Sequence, residues 1–368
     1  MPSLCLVCIS LRAGGTERIV TKIANRMSRQ HEVSILLLSS ITPFFPLAPT
    51  VRLYQPSLPS RSQLGWHWYY QILRYLVSTL RQVKPDLVLC FGEAIAPAIL
   101  TLSAMFGRRV LVFNRESPLR SLRGRQGILN PLTYPLAYRV VVQTRCSVEM
   151  MRGRYRLSRF SAVPNPIDIP DQVFHIEHRV QRILNVGTLD ANKNQRARIH
   201  RCARSHMGPD WRLEFIGDGP DRPLLEQLVI ELGLQDSVSF LGERTDVTEL
   251  LQGSRIFAFT SLSEGFPNAL AEALAAGCAC ISYDAPTGPS ELIANGVNGL
   301  LVPLDDEVAF GRELERLMSD PDLQSRLAQG AREQIWQFAE EPVFDQFEQL
   351  INSALPKQSR TIDKRCDS

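Results

Sequence analysis

Two glutamates eight positions apart, Glu264 and Glu272, lie in the segment SEGFPNALAEALAAGC, residues 263–278. Glu264 precedes a Gly-Phe-Pro turn, and Glu272 lies in a run of alanines and leucines that predicts a helix. The amino end of a helix offers unpaired N–H groups and a partial positive charge, which suit a phosphate. A carboxylate beside it can accept two hydroxyl hydrogen bonds. The pair therefore indicates a sugar-nucleotide site, whereas a lone helical glutamate is more often simply solvated.

Small residues form one face of this predicted helix. The residues that share that face by helical spacing are Ala269, Glu272, Ala273 and Ala276. Pro267 suits the first helical position, where a missing amide hydrogen costs nothing. Such a face allows a ligand or another backbone to approach closely.

Short apolar runs alternate with helical patterns along the whole chain. The strand-like runs are LCLVCIS, HEVSILLLS, DLVLCF, RVLVF and RVVVQT in the front half, and RILNVGTL, WRLEFIG, SVSFLG, RIFAFTS and CACISYD in the back half. They are continuously apolar, which is typical of parallel strands covered on both faces. The pattern predicts an α/β protein with one doubly wound parallel sheet in each half. Residues 42–60 read as a Pro-rich loop, and Trp66 to Tyr70 form an aromatic cluster within a helix.

Prolines at positions 164, 166 and 170 interrupt the alternation between the two halves. The predicted organisation is an N-terminal domain at 1–165, a linker at 166–180, a C-terminal domain at 181–340, a helix at 341–355 that packs back on the N-terminal domain, and a disordered tail at 356–368. Ligands of open parallel sheets bind beyond the carboxyl ends of the strands. We therefore expect the functional residues just after strands, facing a cleft between the domains.

Charge is distributed unevenly along the 368 residues, although the net charge is only +3. Residues 1–165 hold 22 Lys+Arg and 6 Asp+Glu, whereas the remainder holds 19 and 32. The front half is thus strongly basic. This favours an anionic membrane, a phosphorylated lipid or nucleic acid as partner, or else surface charge balanced by the acidic half. No nucleic-acid-reading motif accompanies the basic residues, which argues against nucleic acid.

Eight cysteines are scattered without zinc-finger or redox spacing, which favours reduced core thiols in a cytosolic protein. The opening LCLVCISL lacks a basic leader and is too short for a secretory signal, so a buried first strand is expected. No apolar run approaches the ~20 residues that span a bilayer. None of the six histidines falls in a metal-binding or triad arrangement.

The span from Glu264 to Glu272 resembles the Glu-seven-residues-Glu motif of the retaining glycosyltransferases of family four, which have the GT-B fold. Further similar segments are GGTERIVTKIANRMSRQHEVSILLLS (14–39), NVGTLDANKNQ (185–195), FIGDGPDRPLLEQLVIELGL (215–234) and TGPSELIANGVNGLLVP (287–303). The resemblance extends over both halves and is looser between residues 40 and 160. It implies two Rossmann-like domains facing an interdomain cleft.

The resemblance also implies roles for individual residues. Catalytic roles fall to Lys193, Glu264 and Arg115; the donor is bound by Gly15, Thr188, Lys193, Glu264, Gly265, Phe266, Pro267, Asn268 and Glu272; the acceptor side includes Gly14, Arg115 and Glu116. Glu264 would contact the transferred sugar, Glu272 the ribose, and Lys193 the leaving diphosphate, as its compact charge suits. Taken alone, Lys193 would be a solvated surface lysine.

Some of these positions leave alternatives open. Thr188 stands where many family members have arginine, so either another base such as Arg18, Arg115 or Arg196 substitutes, or catalysis is weaker. Gly14 and Gly15 form a loop after the first strand, which a mere tight turn would also explain. Arg115 could pair with a phosphate, or form a structural salt bridge with Glu116 or neighbours.

The implied reaction transfers a sugar from a nucleoside diphosphate sugar to a lipid-linked or polysaccharide acceptor with retention of configuration. The resemblance favours a UDP-hexose or UDP-N-acetylhexosamine; a GDP-mannose-dependent mannosyltransferase, a nucleotide-sugar epimerase and a non-catalytic nucleotide-sugar-binding subunit are the alternatives. No metal or other cofactor is expected. The basic half and the aromatic cluster predict peripheral association with an anionic membrane, at the cytoplasmic face of the cell membrane, unless the cluster is an ordinary buried helix face.

Overall fold

The structure is a computed structural model that describes residues 1–12, 15–57, 66–121, 124–172, 174–196, 199 and 210–356. It contains two sheets with helices between their strands, and both sheets are built from the apolar runs noted above. No helix in these ranges has the length and apolar character needed to cross a bilayer.

The first sheet has seven strands in the order β3-β2-β1-β4-β5-β6-β7. They are Ser3–Cys8 (β1), Glu32–Leu37 (β2), Arg52–Tyr54 (β3), Leu87–Phe91 (β4), Arg109–Phe113 (β5), Arg139–Val142 (β6) and Phe160–Ala162 (β7). The helices of this half are Gly15–Met27 (α1), Trp66–Val83 (α2), Ala96–Met105 (α3), Pro118–Ser121 (α4), Gly124–Thr133 (α5) and Arg145–Tyr155 (α6), with a short 3-10 helix at Tyr134–Leu136. The strand pairs β1–β2, β1–β4, β2–β3, β4–β5 and β5–β6 are parallel.

The second sheet has six parallel strands in the order β10-β9-β8-β11-β12-β13. They are Val180–Val186 (β8), Arg212–Ile216 (β9), Val238–Gly242 (β10), Ser254–Phe259 (β11), Ala279–Asp284 (β12) and Leu300–Pro303 (β13). The helices are Arg222–Glu231 (α7), Val247–Gln252 (α8), Asn268–Ala275 (α9), Pro289–Leu292 (α10), Glu307–Ser319 (α11), Pro321–Gln334 (α12) and Glu340–Ala354 (α13), with 3-10 helices at Ile176–His178 and Ile335–Phe338.

Both faces of the second sheet are buried, as the continuously apolar strands predict. Ile256 and Ala258 of β11 belong to one hydrophobic cluster, whereas their neighbours Phe257 and Phe259 belong to another. Successive side chains of a strand point to opposite faces, so each cluster covers one face of the sheet. The α/β class with two parallel-sheet, Rossmann-like halves is therefore confirmed.

Contacts between residues divide the chain into two compact units. One comprises residues 1–114, 128–141 and the chain from Gln346 onward, and the other comprises residues 115–127 and 142–345. In the first unit, the Phe347 ring lies 5.7 Å from that of Phe113, and Arg109 Nη1 donates to the Ala354 carbonyl oxygen at 3.0 Å. The domain boundaries expected from the sequence stay a prediction.

The structure corrects several local expectations. The Pro-rich stretch 42–60 is not wholly a loop, because Arg52–Tyr54 pairs with β2 as a short edge strand. Gly15 is the first residue of α1 rather than part of a loop. Pro267 caps α9 from outside instead of occupying its first position. Strands β7 and β13, of three and four residues, are too short to stand out from the sequence pattern.

Six cysteines lie in the described residues, and all six are free. Five of them are buried, and burial raises the pKa of the Cys5 and Cys278 thiols to about 12. These thiols are neutral at physiological pH and serve as small apolar core residues. The expectation of reduced core thiols is confirmed for these positions.

Two helical glycines predict opposite effects of the same substitution. A Cβ at Gly330 on α12 would lie 2.3 Å from the Val297 carbonyl oxygen, whereas a Cβ at Gly153 on α6 would meet nothing within 4 Å. We expect Gly330→Ala to lower the free energy of unfolding by about 1–3 kcal/mol, as overpacking does. Gly153→Ala should raise it by about 0.5–1 kcal/mol, because alanine has the higher helix propensity. Urea unfolding of both variants would measure this; equal shifts of one sign would contradict it.

Candidate active site

The second sheet reverses its strand order between β8 and β11. After β8 the chain proceeds outward through β9 and β10, then returns to place β11 on the other side of β8. At such a switch point the loops that follow the two strands diverge and leave room for a ligand. These loops are residues 187–194 and 260–267, which carry most of the predicted donor-binding residues.

Hydrogen bonds join the two loops directly. Thr260 Oγ1 donates to the carbonyl oxygens of Lys193 and Asn194 at 2.8 and 3.1 Å. Asn192 Nδ2 donates to the Ser263 carbonyl oxygen at 2.9 Å, and the Leu262 N–H donates to the Asn192 carbonyl oxygen at 2.8 Å. The backbones that carry Lys193 and Glu264 are thereby held side by side.

Lys193 and Glu264 form an ion pair at this point. Lys193 Nζ lies 2.6 Å from Glu264 Oε1, and the two side chains are 21% and 14% exposed. The ammonium also lies 5.7 Å from the centre of the Phe259 ring. Gly187, which has a φ of +154°, lies beside the lysine stem, and a Cβ there would be in van der Waals contact with Lys193 Cε at 3.4 Å. Two residues that the sequence assigned to one donor are thus in direct contact.

The turn from Glu264 to Pro267 is fixed from the side of β12. Thr287 Oγ1 donates to the Glu264 carbonyl oxygen. Gly288 has a φ of +118°, and a Cβ there would lie 2.5 Å from Pro267 Cδ. Only glycine combines this backbone conformation with so close a contact. The TGPSEL segment therefore shapes the start of α9.

Buried leucines and alanines anchor the helix α9 itself. Leu270, Ala273 and Leu274 are fully buried, while Glu272 is half-buried. At its carboxyl end, Arg179 Nη2 donates to the Ala276 carbonyl oxygen at 2.9 Å. A cation at a helix carboxyl end is favourable, because unpaired carbonyl groups give that end a partial negative charge.

A third set of contacts reaches the start of α9 from residues 115–165. Arg115 Nη1 donates to the Val163 carbonyl oxygen at 3.1 Å, and Nη2 donates to Asn165 Oδ1 at 2.6 Å. Asn165 Nδ2 in turn donates to Asn268 Oδ1 at 2.7 Å. Burial lowers the pKa of the Arg115 guanidinium to about 9, so it remains a cation at neutral pH. Arg115 thus supports the first residue of α9 through Asn165.

Backbone packing reinforces this connection. A Cβ at Gly265 would lie 2.5 Å from Gln143 Oε1 and 2.9 Å from the carbonyl carbon of Glu116. Ser117 and Ser263 share a hydrogen bond of 2.6 Å between their hydroxyls. The loop after β11 therefore lies directly against residues 116–117.

The other predicted residues take no part in the contacts given above. Gly14 lies outside the described residues, and Gly15 begins α1 in the other unit. Thr188 and Arg196 are exposed, and the Thr188 carbonyl oxygen accepts a hydrogen bond from Gln195 Nε2 at 2.8 Å. Among the described residues, no group of three or more His, Cys, Asp or Glu side chains could hold a metal ion.

Two family models match the chain. A sequence model of the group 1 glycosyl transferases matches residues 169–334, and one of glycosyltransferase family 4 matches residues 13–170. The two matches follow one another along the chain and include both sheets.

The chain is a family 4-like glycosyltransferase.

Individual relatives differ in how much of their length this glycosyltransferase covers. It is 30% identical over 296 residues to an exopolysaccharide phosphotransferase of Streptomyces coelicolor, a match of 78% of this chain and 31% of that protein. It therefore spans about a third of that relative. It is 25% identical over 364 residues to an α-1,4-N-acetyl-D-galactosaminyltransferase of Campylobacter jejuni, covering 95% and 98% of the two chains.

A solved structure resembles the glycosyltransferase in fold. The Anabaena protein HepE, crystallised in complex with UDP, superposes with a TM-score of 0.77 at 20% identity, covering 96% of this chain and all of that chain. At this level of identity the likeness establishes the GT-B fold alone.

The sequence did not reveal several polar residues whose hydrogen bonds hold together the loops of this glycosyltransferase. Thr260 and Asn192 bridge the two loops, and Asn165 connects Arg115 to α9. In the first unit, buried Glu93 Oε1 accepts hydrogen bonds from Asn130 at 2.6 Å and from Asn114 and Tyr134 at 3.3 Å. Glu93 follows β4 closely, at the switch point of the first sheet, and that position was the available signal.

The packing at Gly265 gives a direct test of the site's construction. We expect Gly265→Ala to lower the free energy of unfolding by about 1–3 kcal/mol, because the Glu116 backbone cannot move aside cheaply. Nucleotide binding should weaken as well, since the turn that precedes α9 would shift. Urea unfolding and calorimetric titration with UDP or GDP would measure both effects. Unchanged stability and binding, judged against Gly153→Ala, would contradict the close packing.

Proposed function

We propose that this chain transfers a sugar from a nucleoside diphosphate sugar to a lipid-linked or polysaccharide acceptor, with retention of configuration at the anomeric carbon. The observation that carries the proposal is the contact of Lys193 with Glu264 at the switch point, directly before α9. The cation and the helix amino end suit the diphosphate of a sugar diphosphate, and the carboxylate suits its sugar.

Each group has a proposed task in binding. The Lys193 ammonium and the N–H groups at the start of α9 neutralise the diphosphate, and Glu264 accepts hydrogen bonds from hydroxyls of the transferred sugar. Glu272 lies four residues after the start of α9, which is about 6 Å along the helix axis at ~1.5 Å per residue. There it accepts hydrogen bonds from the ribose hydroxyls. Gly265 and Phe266 contribute backbone N–H groups. Pro267 has none to give, and the Asn268 N–H already donates to the Phe266 carbonyl oxygen at 2.9 Å. Thr188 offers only a hydroxyl.

The proposed chemistry depends on charge stabilisation and positioning. Negative charge grows on the diphosphate as the glycosidic bond breaks, and Lys193 and the helix amino end stabilise it. The acceptor hydroxyl attacks from the same face as the departing diphosphate, which takes its proton, so no protein nucleophile is assigned. Glu116, which is exposed, orients the acceptor hydroxyl, and Arg115 fixes the start of α9. No metal ion takes part.

A UDP-hexose or UDP-N-acetylhexosamine is the proposed donor. The Campylobacter relative, which matches along nearly its whole length, is named as an N-acetyl-D-galactosaminyltransferase that acts on an undecaprenyl-diphosphate glycan. The Anabaena structure contains UDP. GDP-mannose remains the second candidate, and a donor screen with both nucleotide classes decides between them.

Apolar surface on the first unit supports an anionic membrane as partner. Ile128, Leu129 and Leu132 of α5 are exposed, with Ile128 and Leu132 at 69% and 71%. They lie on one helical face by their spacing. Tyr69 and Tyr70 of the aromatic cluster on α2 are exposed as well. Exposed apolar side chains within a basic half suit peripheral binding to anionic lipid.

Lys193→Ala should lower the transfer rate at saturating donor by at least about 100-fold, as loss of one charge-stabilising group does. Release of UDP or GDP in the presence of a membrane extract that supplies acceptors would measure it. Lys84→Ala, at an exposed site before β4, is the matched control and should behave as the wild type. A wild-type rate from Lys193→Ala would refute the assignment of the site. Wild-type protein that binds a sugar nucleotide but turns none over would favour a non-catalytic subunit.

Membrane binding has a separate test. The wild type should sediment with phosphatidylglycerol vesicles at low salt and be released at high salt, because screening weakens the attraction. Ile128→Asp combined with Leu132→Asp should reduce sedimentation, whereas Leu224→Asp, at an exposed leucine of α7, should not. Wild-type protein that stays in the supernatant at low salt would contradict membrane association.

A further inference from the structure

Lys193 and Glu264 form an ion pair with each other. Their atoms lie 2.6 Å apart, and most of each side chain is shielded from water. The proposed function assigns the same two side chains to different parts of one donor: the ammonium to the diphosphate and the carboxylate to the sugar. Binding therefore has to exchange this internal contact for contacts with the ligand, and the inference below rests on that function.

The backbone on both sides of the pair is fixed, so the exchange must come from side chains. The Lys193 N–H donates to Asp190 Oδ1 at 3.0 Å, and its carbonyl oxygen accepts from Thr260. The Glu264 carbonyl oxygen accepts from Thr287. These bonds hold the two backbones in place, so only a change of side-chain rotamer can separate the pair, and an incoming phosphate meets a carboxylate as well as an ammonium.

The donor and the free nucleoside diphosphate product differ in how well they replace the contact that the two side chains lose. A sugar nucleotide offers phosphate oxygens to Lys193 and hydroxyl donors to Glu264, so both partners regain hydrogen bonds. A free nucleoside diphosphate offers oxygens to Lys193 but no sugar hydroxyl to Glu264. The carboxylate would then be left without its cation, poorly solvated and close to an anion, which is costly.

We propose that the Lys193–Glu264 ion pair makes the site select the glycosylated nucleotide over the free nucleoside diphosphate, and so favours release of the product. Glu264 thereby weakens the binding of the free nucleoside diphosphate in addition to contacting the sugar. A glutamate that only contacts sugar would leave the affinity for the free diphosphate unchanged, and this difference makes the inference testable.

The test measures the affinity for UDP and for GDP by isothermal titration calorimetry, in the wild type and in Glu264→Gln. Glutamine keeps the shape of the side chain and removes its charge. We expect Glu264→Gln to bind the nucleoside diphosphate that the wild type prefers about tenfold more tightly, a shift of one decade in Kd. Binding of the corresponding sugar nucleotide, identified by the donor screen, should not tighten. Glu264→Ala serves as a second variant, with thermal melts to confirm folding.

The second sheet offers a matched control for this substitution. Arg182 and Glu214 form another part-buried pair, with Arg182 Nε 2.8 Å from Glu214 Oε2 and side chains 18% and 16% exposed. They lie in the body of β8 and β9, away from the loops at the carboxyl ends. Glu214→Gln removes an equivalent carboxylate and should leave the nucleotide affinity unchanged.

The outcomes separate the inference from the proposed function. Tighter diphosphate binding by Glu264→Gln, with unchanged binding by Glu214→Gln, supports the inference. Equal or weaker diphosphate binding by folded Glu264→Gln and Glu264→Ala overturns it but leaves the transfer function standing. Folded wild-type protein that binds neither UDP, GDP nor any sugar nucleotide of the screen overturns the proposed function, and the inference with it.

Discussion

The parallel pairing of β8 with β11 is the constraint on which the candidate site depends. Because both strands run in the same direction, their following loops emerge at one edge of the sheet, and the strand order parts them there. Residues 71 positions apart in sequence, Lys193 and Glu264, are thereby brought into contact. A slip of this pairing by one residue would turn every side chain of β11 to the opposite face.

Close backbone contacts give the site its shape. Gly265 lies within the turn before α9 and Gly288 packs against Pro267 of that turn, and each has neighbours that leave no space for a Cβ. Polar side chains complete the enclosure, since Asn165 bonds the first residue of α9 and Thr287 bonds the turn itself. The glycines thus allow neighbouring segments to pack closely against the turn, and the hydrogen bonds hold them there. The start of α9 is therefore restrained from two sides.

Sequence patterns predicted most of the fold and the centre of the site. Long apolar runs identify the buried strands, and the motif at Glu264 and Lys193 identifies two side chains that do meet. The pattern could not reveal Asn165 or Thr260, because their importance lies in contacts with residues 66 to 103 positions away. Strand β3 was missed because three residues provide too little alternation, and β-pairing there depends on β2 rather than on local propensity.

The guanidinium of Arg179 has a consequence for how the site responds to ligands. It is buried and donates to the carbonyl oxygens of Phe174, Ser254 and Ala276, so it joins three separate stretches of backbone at the far end of α9. Sliding the helix along its axis would leave these buried carbonyl oxygens with neither a hydrogen-bond donor nor water. The amino end of α9 is consequently held in place, and under the proposed function nucleotides would bind and leave without moving the helix.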